Sequence, residues 1–181
     1  MATPFRPAAE LLKLYAEYHR DRRNIATHLV GVPLIVFAIG VLLARPAVEV
    51  AGLMLTPAWL VFALATAWYV TRGEFALGLA VSAGVAVLLA LAQPLAAGST
   101  GAWLGWGVGL FVFGWVIQFV GHYYEGRKPA FADDIAGLLV GPMFVALEML
   151  ASLGLFGRLM HDIEHHAGPT HLRDLAHPVA R

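Results

Sequence analysis

The chain contains no cysteine, so disulfides, thiolate metal sites and cysteine nucleophiles are excluded. Charge is scarce: Asp, Glu, Lys and Arg make up 13% of 181 residues, against about 25% in soluble domains. The net charge is zero with histidine neutral, which argues against a nucleic-acid binder driven by phosphate charge. No signal-peptide pattern opens the chain. Residues 1–27 carry Glu10, Lys13, Glu17 and the run Arg20-Asp21-Arg22-Arg23, without an uninterrupted apolar core. Insertion is therefore expected to be signalled by the first membrane segment. No internal repeat is evident.

Apolar surface is what the chain has in excess. Hydrophobic residues account for 59% and mean hydropathy is +0.71. A single domain of this length cannot hide so much inside itself, so lipid is its natural solvent. Four apolar stretches, 28–44, 51–70, 75–97 and 102–121, predict four main transmembrane helices, each near the length of about 20 residues that a span needs. The connectors Arg45-Pro46 and Thr71-Arg72-Gly73-Glu74 are tight and force adjacent antiparallel helices. A fifth apolar stretch, 135–156, is interrupted by Gly141-Pro142 and carries Glu148. It reads as a kinked or re-entrant segment, with Asp133 and Asp134 capping its start. Residues 7–23 predict an amphipathic helix, packed on its own bundle or, alternatively, lying in the membrane interface. The fold class is thus all-α and polytopic. One membrane domain is expected: an amphipathic helix and motif over 1–27, a bundle over 28–156 and a polar tail over 157–181, whose last 20 residues are expected to be loosely ordered. Glycines in the third and fourth spans permit close helix approach, and a homo-oligomer is left open.

Lys and Arg set the orientation. Residues 1–27 hold five, and Arg72, Arg127 and Lys128 fall on the same side, against Arg45 alone opposite. Both termini are expected in the cytoplasm. Alanine, glycine and arginine usage suggests a bacterial inner membrane.

Four crossings bring the chain back to its starting side, so the polar cluster before the first span meets the one closing the fourth. On a helix Gln118, His122 and Glu125 share one face. Asn24 and His28 share another. His19, nine residues before His28, is half a turn out of phase, so both point inward only if the chain bends near Arg20–Arg23. Three histidines and a glutamate are enough ligands for iron, zinc or manganese. Nitrogen and oxygen donors fit non-haem Fe(II), and equally a zinc hydrolase. The plainer reading is a set of histidines and a carboxylate hydrogen-bonded at helix ends, in a membrane protein that is not an enzyme. Histidine ligation predicts that metal affinity falls as pH drops through about 6.5.

The pattern Tyr15…His19…Asn24…His28-x-x-Gly31-x-Pro33, then Gln118-x-x-Gly121-His122-x-x-Glu125-x-x-x-Pro129-Ala130, resembles the membrane 2-hydroxy-fatty-acid dioxygenase family. The resemblance runs from about residue 10 to about residue 156. It implies an Fe(II)-dependent enzyme that uses O2 to shorten a 2-hydroxy fatty acid by one carbon, as in α-oxidation of the acid derived from phytosphingosine. Eukaryotic members reside in the endoplasmic reticulum. The resemblance places the metal on His19, His28 and His122. Glu125 matches a motif carboxylate that is either a ligand or a partner orienting a histidine. Asn24 and Gln118 would hydrogen-bond around the ligands. Arg20, Arg22, Arg23, Arg127 and Lys128 lie at the same face and are candidates for the substrate carboxylate, beside their ordinary role as the positive-inside signal. Glu148, a carboxylate in an apolar stretch, is a further candidate as ligand or as partner of His28 or an arginine. The tail sequence His161-Asp-Ile-Glu164-His165-His166 resembles one histidine box of the di-iron desaturases. His19, His28 and His122 are not in such boxes, and a solvated tail is the expected account.

Overall fold

The computed structural model describes residues 5–130 and 136–175. The expected caps Asp133 and Asp134 lie outside the described residues. Seven helices and one small hairpin follow in order: α1 (Ala8–Ala16), α2 (Arg22–Leu43), β1 (Val48–Val50), β2 (Leu53–Leu55), α3 (Pro57–Val70), α4 (Phe75–Ala96), α5 (Thr100–Glu125), α6 (Gly137–Ser152) and α7 (Gly157–Ala167).

α2, α4 and α5 are long and apolar enough to cross a membrane. Only 22% of the most apolar stretch of α5 is buried within the protein. Its outer side chains, such as Val112, Phe113 and Val116, would face water in any soluble setting, so lipid covers them. The chain is a multi-pass membrane protein.

The second expected span is shorter than its hydropathy suggests. Residues before Pro57 form the antiparallel hairpin β1–β2, turned by Ala51 and Gly52 with φ of 52° and 80°. Two consecutive positive φ values are what a two-residue hairpin turn demands. Thr56 is then extended, as a residue before proline is, and Pro57 starts α3 where its missing N–H is harmless. That leaves α3 with 14 residues, fewer than the roughly 17 of a minimal span.

The fifth segment breaks elsewhere than expected. Pro142 sits inside α6 without ending it. The chain bends by 117° between α6 and α7, where Gly154 and Phe156 take φ of 83° and 56°. α1 packs against α6 and α7 through Leu11, Leu12 and Tyr15, which settles it on its own bundle. The expected loose tail is also ordered through residue 175. α7 buries Leu159 and Ile163 against that same cluster, and its histidines 161, 165 and 166 face outward.

α2 is the centre of the bundle and lies antiparallel against α5. Two glycines let them approach. A Cβ on Gly31 would overlap the Gln118 amide, and one on Gly121 would overlap Thr27 Oγ1 and Asn24 Oδ1. The far ends are tied by Trp103 Nε1, which donates to Val41 O at 2.7 Å. The Gly121→Ala variant should lose about 1–3 kcal/mol of stability, as overpacked cores do. It should also lose metal as α5 is pushed from α2. Thermal unfolding in detergent, with metal content read on the same sample, checks both.

A candidate metal centre at one end of the bundle

α1 ends at Ala16, and the chain turns through Glu17–Arg20 before Asp21 caps α2. This is the bend that His19 and His28 require. Asp21 Oδ1 accepts from Arg23 N at 2.8 Å, as an N-cap does. His28 lies two turns into α2, and His122 lies one turn before the end of α5. One ligand atom from each of His19, His28 and His122 falls within 4.8 Å of the others, and all three side chains are buried. The ring centroids are 4.4, 5.0 and 5.1 Å apart.

The hydrogen bonds around these rings specify where their lone pairs point. His19 Nδ1 lies 2.7 Å from Tyr15 O, and His28 Nδ1 lies 2.8 Å from Asn24 O. A carbonyl oxygen only accepts, so each Nδ1 carries the proton and each neutral ring leaves Nε2 bare. Those two Nε2 atoms face one another at 3.0 Å. His122 Nδ1 is buried and has no hydrogen-bond partner among the described residues. Burial first, then the nearby His28, His122 and Arg20, hold the His19 imidazole well below its ordinary pKa, so it is uncharged at neutral pH. Bare nitrogens converging in a dry site fit a cation.

Tyr15 stacks on His19 with ring centroids 4.0 Å apart and planes 6° from parallel. It fixes the imidazole plane, a role that spacing alone did not reveal.

Glu125 stands beside the converging group and turns away from it. Its carboxylate accepts from Arg20 N at 3.1 and 3.0 Å, from Asp21 N at 2.8 Å and from Asn24 Nδ2 at 3.1 Å. These donors are the otherwise unsatisfied N–H groups at the start of α2 and on the His19 turn. The negative charge also complements the α2 dipole. Asn24 additionally donates to Tyr18 O at 3.0 Å, closing the turn.

Four of the candidate cations, Arg20, Arg22, Arg23 and Arg127, have partners elsewhere. Arg20 is buried: its Nε donates to Ala16 O and His19 O, Nη1 donates to Gly168 O, and Nη2 lies 3.9 Å from Glu148 Oε1. Glu148 is therefore an arginine's partner and lies outside the histidine group. Arg22 reaches Thr170, Arg23 pairs with Asp21 at 2.7 Å, and Arg127 donates to Glu17 O.

A strap after α7 covers this turn. His171 pairs with Asp21 as a parallel bridge: Arg22 N donates to His171 O and His171 N donates to Arg20 O, both at 2.9 Å. Arg173 N donates to Asp21 Oδ2 at 2.8 Å. Burial pushes the Asp21 carboxyl up, but bonds from the Arg23 side chain and from the Arg173 and Arg23 N–H groups outweigh it and hold it at about 2. A carboxyl held low in the folded state stabilises fully above its unfolded pKa, about 3.9. That contribution is lost as pH falls through about 2. Asp21→Asn should thus cost about 2 kcal/mol at neutral pH and flatten the acid side of the stability profile. Unfolding temperatures between about pH 7 and about pH 3 check it.

One cleft opens from the histidines. His28, Gln118 and His122 stand at its head, and its walls are apolar side chains of α2, α5 and α6. Among the described residues, its lining contains no Lys or Arg. Gln118 is 3% exposed, and both its amide atoms lack partners among the described residues.

Comparison with known proteins covers most of the chain. The family model for 2-hydroxy-palmitic acid dioxygenase, Mpo1-like, matches residues 5–153. The chain is 33% identical over 156 residues to 2-hydroxy-palmitic acid dioxygenase MPO1 of Saccharomyces cerevisiae, covering 85% of this chain and 86% of that protein. No solved structure matches. With the motif histidines gathered at one end of a membrane bundle and the match spanning most of its length, the chain belongs to the Mpo1-like family.

Proposed function

We propose that this protein is an Fe(II)-dependent dioxygenase that converts a 2-hydroxy fatty acid to the acid one carbon shorter. The observation that carries it is the pair of bare Nε2 atoms 3.0 Å apart, beside His122, at the head of an apolar cleft. Imidazole nitrogens suit iron and zinc alike; the dioxygenase description of the matching family favours iron. His19, His28 and His122 would hold the metal. When bound, Fe(II) would supply electrons and open positions for O2, and a positive charge for a substrate carboxylate that meets no Lys or Arg among the cleft's described residues.

The chain's own residues do the rest. Glu125 and Asn24 hold the His19 turn against α2, and Tyr15 holds the His19 ring. Gln118, with a free donor and a free acceptor, hydrogen-bonds the substrate's hydroxyl or carboxylate as it is desolvated. The apolar walls exclude water. The electron count agrees: a 2-hydroxy acid going to the shorter acid, CO2 and water releases four electrons, and one O2 accepts four. In this reading the Lys/Arg-rich end and both termini face the cytoplasm, in a bacterial inner membrane.

Oxygen uptake by purified, iron-loaded protein tests the proposal. One O2 consumed per 2-hydroxypalmitic acid, with the fifteen-carbon acid as product and palmitic acid inert, is expected. Zinc-supported ester or amide hydrolysis without oxygen uptake would replace it with the hydrolase reading.

A further inference from the structure

The cleft leads away from the histidines between α2 and α5. Going along α2 from His28, the lining side chains are Val32, Val36 and Ile39; along α5 from His122 they are Gln118, Trp115 and Phe111. Steps of three and four residues keep each set on one helical face. Because the helices are antiparallel, both sets leave the polar end together. His28 to Ile39 and His122 to Phe111 are each eleven residues, or about 16 Å of helix. The cleft volume, about 230 Å³, is larger than the cavity of about 150 Å³ that accepts benzene. Its polar end carries the Gln118 amide, unpartnered among the described residues, and the described side chains lining it beyond are apolar.

We infer that this cleft is the channel for the substrate's alkyl chain and that Val36, Ile39 and Phe111 set the chain length accepted. The inference rests on the oxygenase reading for the identity of the head group. C–C bonds of about 1.5 Å in a staggered chain advance about 1.25 Å each. The groove from the histidines to Ile39 and Phe111 therefore holds on the order of 13 carbons. Val36 stands eight residues from His28, about 12 Å along, so a bulky side chain there stops a chain near its tenth carbon. Phe111 is half-buried and stands at the far end, where its removal lengthens the groove. Neither residue touches the metal site.

The experiment measures binding of saturated 2-hydroxy acids of eight to twenty-four carbons to metal-loaded protein under nitrogen, then oxygen uptake with the same series. Wild type should prefer chains of about 14 to 18 carbons at least tenfold over both extremes. Val36→Phe should keep the eight- and ten-carbon acids and lose the sixteen-carbon acid by at least tenfold. Phe111→Ala should move the optimum longer by about two to four carbons. Retained short-chain binding shows that Val36→Phe is folded. A uniform loss across all lengths, or an unchanged profile in both variants, overturns the channel and leaves the cleft to bilayer lipid. Length-selective binding with no oxygen uptake in wild type overturns the oxygenase reading and leaves the channel standing.

Discussion

Glu125→Ala is expected to unfold the polar end of the bundle and to release metal only as a consequence. The substitution strips the acceptor from Arg20 N, Asp21 N and Asn24 Nδ2, all bound to one buried carboxylate. A buried donor left without a partner costs about 1–3 kcal/mol. Three such donors, partly rescued by entering water, give a loss of roughly 3–5 kcal/mol. Glu125→Gln is the informative companion. Its amide keeps one acceptor oxygen but turns an NH2 toward N–H groups, so it should be about half as damaging. Unfolding temperature and iron content fall together in both variants if Glu125 holds the His19 turn. Iron lost from Glu125→Gln at an unchanged unfolding temperature would make it a ligand instead.

The second large effect lies outside the region matched by the family, which ends at residue 153. Truncation after Ala167 removes the strap. It deletes two backbone bonds to Arg20 and Arg22, the Gly168 acceptor of Arg20 Nη1 and the Arg173 bonds with Asp21 and Arg23. Each is worth about 1 kcal/mol net. Ordering the strap costs conformational entropy that offsets part of the sum. A loss of about 2–3 kcal/mol remains, with weaker iron retention because Arg20 adjoins His19. α7 stays, so Leu159 and Ile163 still cover α1. Truncation that leaves both stability and iron affinity unchanged would show the strap to be ornamental.

Much of the architecture was legible because hydropathy reports directly on lipid contact. α4 and α5 fall within a few residues of the expected spans, α2 begins earlier, at Arg22, and α5 running back along α2 brings Glu125 to Arg20. The bend between His19 and His28 was also legible, since nine residues on a straight helix point opposite ways. What failed was local geometry inside apolar sequence. Residues 51–56 are as apolar as a span, and only the Ala51-Gly52 turn and Pro57 make them a hairpin end. Pro142 looked like the break in the fifth segment, yet the helix absorbs it and turns at Gly154–Phe156. The strap was invisible because it is held by backbone bonds to a turn about 150 residues away, which no side-chain pattern encodes. The partners of Arg20 and Arg23 were hidden for a related reason: charge at a membrane face says which side a residue is on, not which partner it takes. Gln118, one turn from His122, marks the cleft only once its bare amide is seen.

Metal analysis after anaerobic iron reconstitution, wild type beside His122→Ala, is the most direct test of the three-histidine centre. The account predicts about one iron per wild-type chain, near-complete loss in the variant and nearly equal unfolding temperatures for the two metal-free proteins. Wild-type protein that binds no metal, or a variant that keeps the full complement, would contradict it.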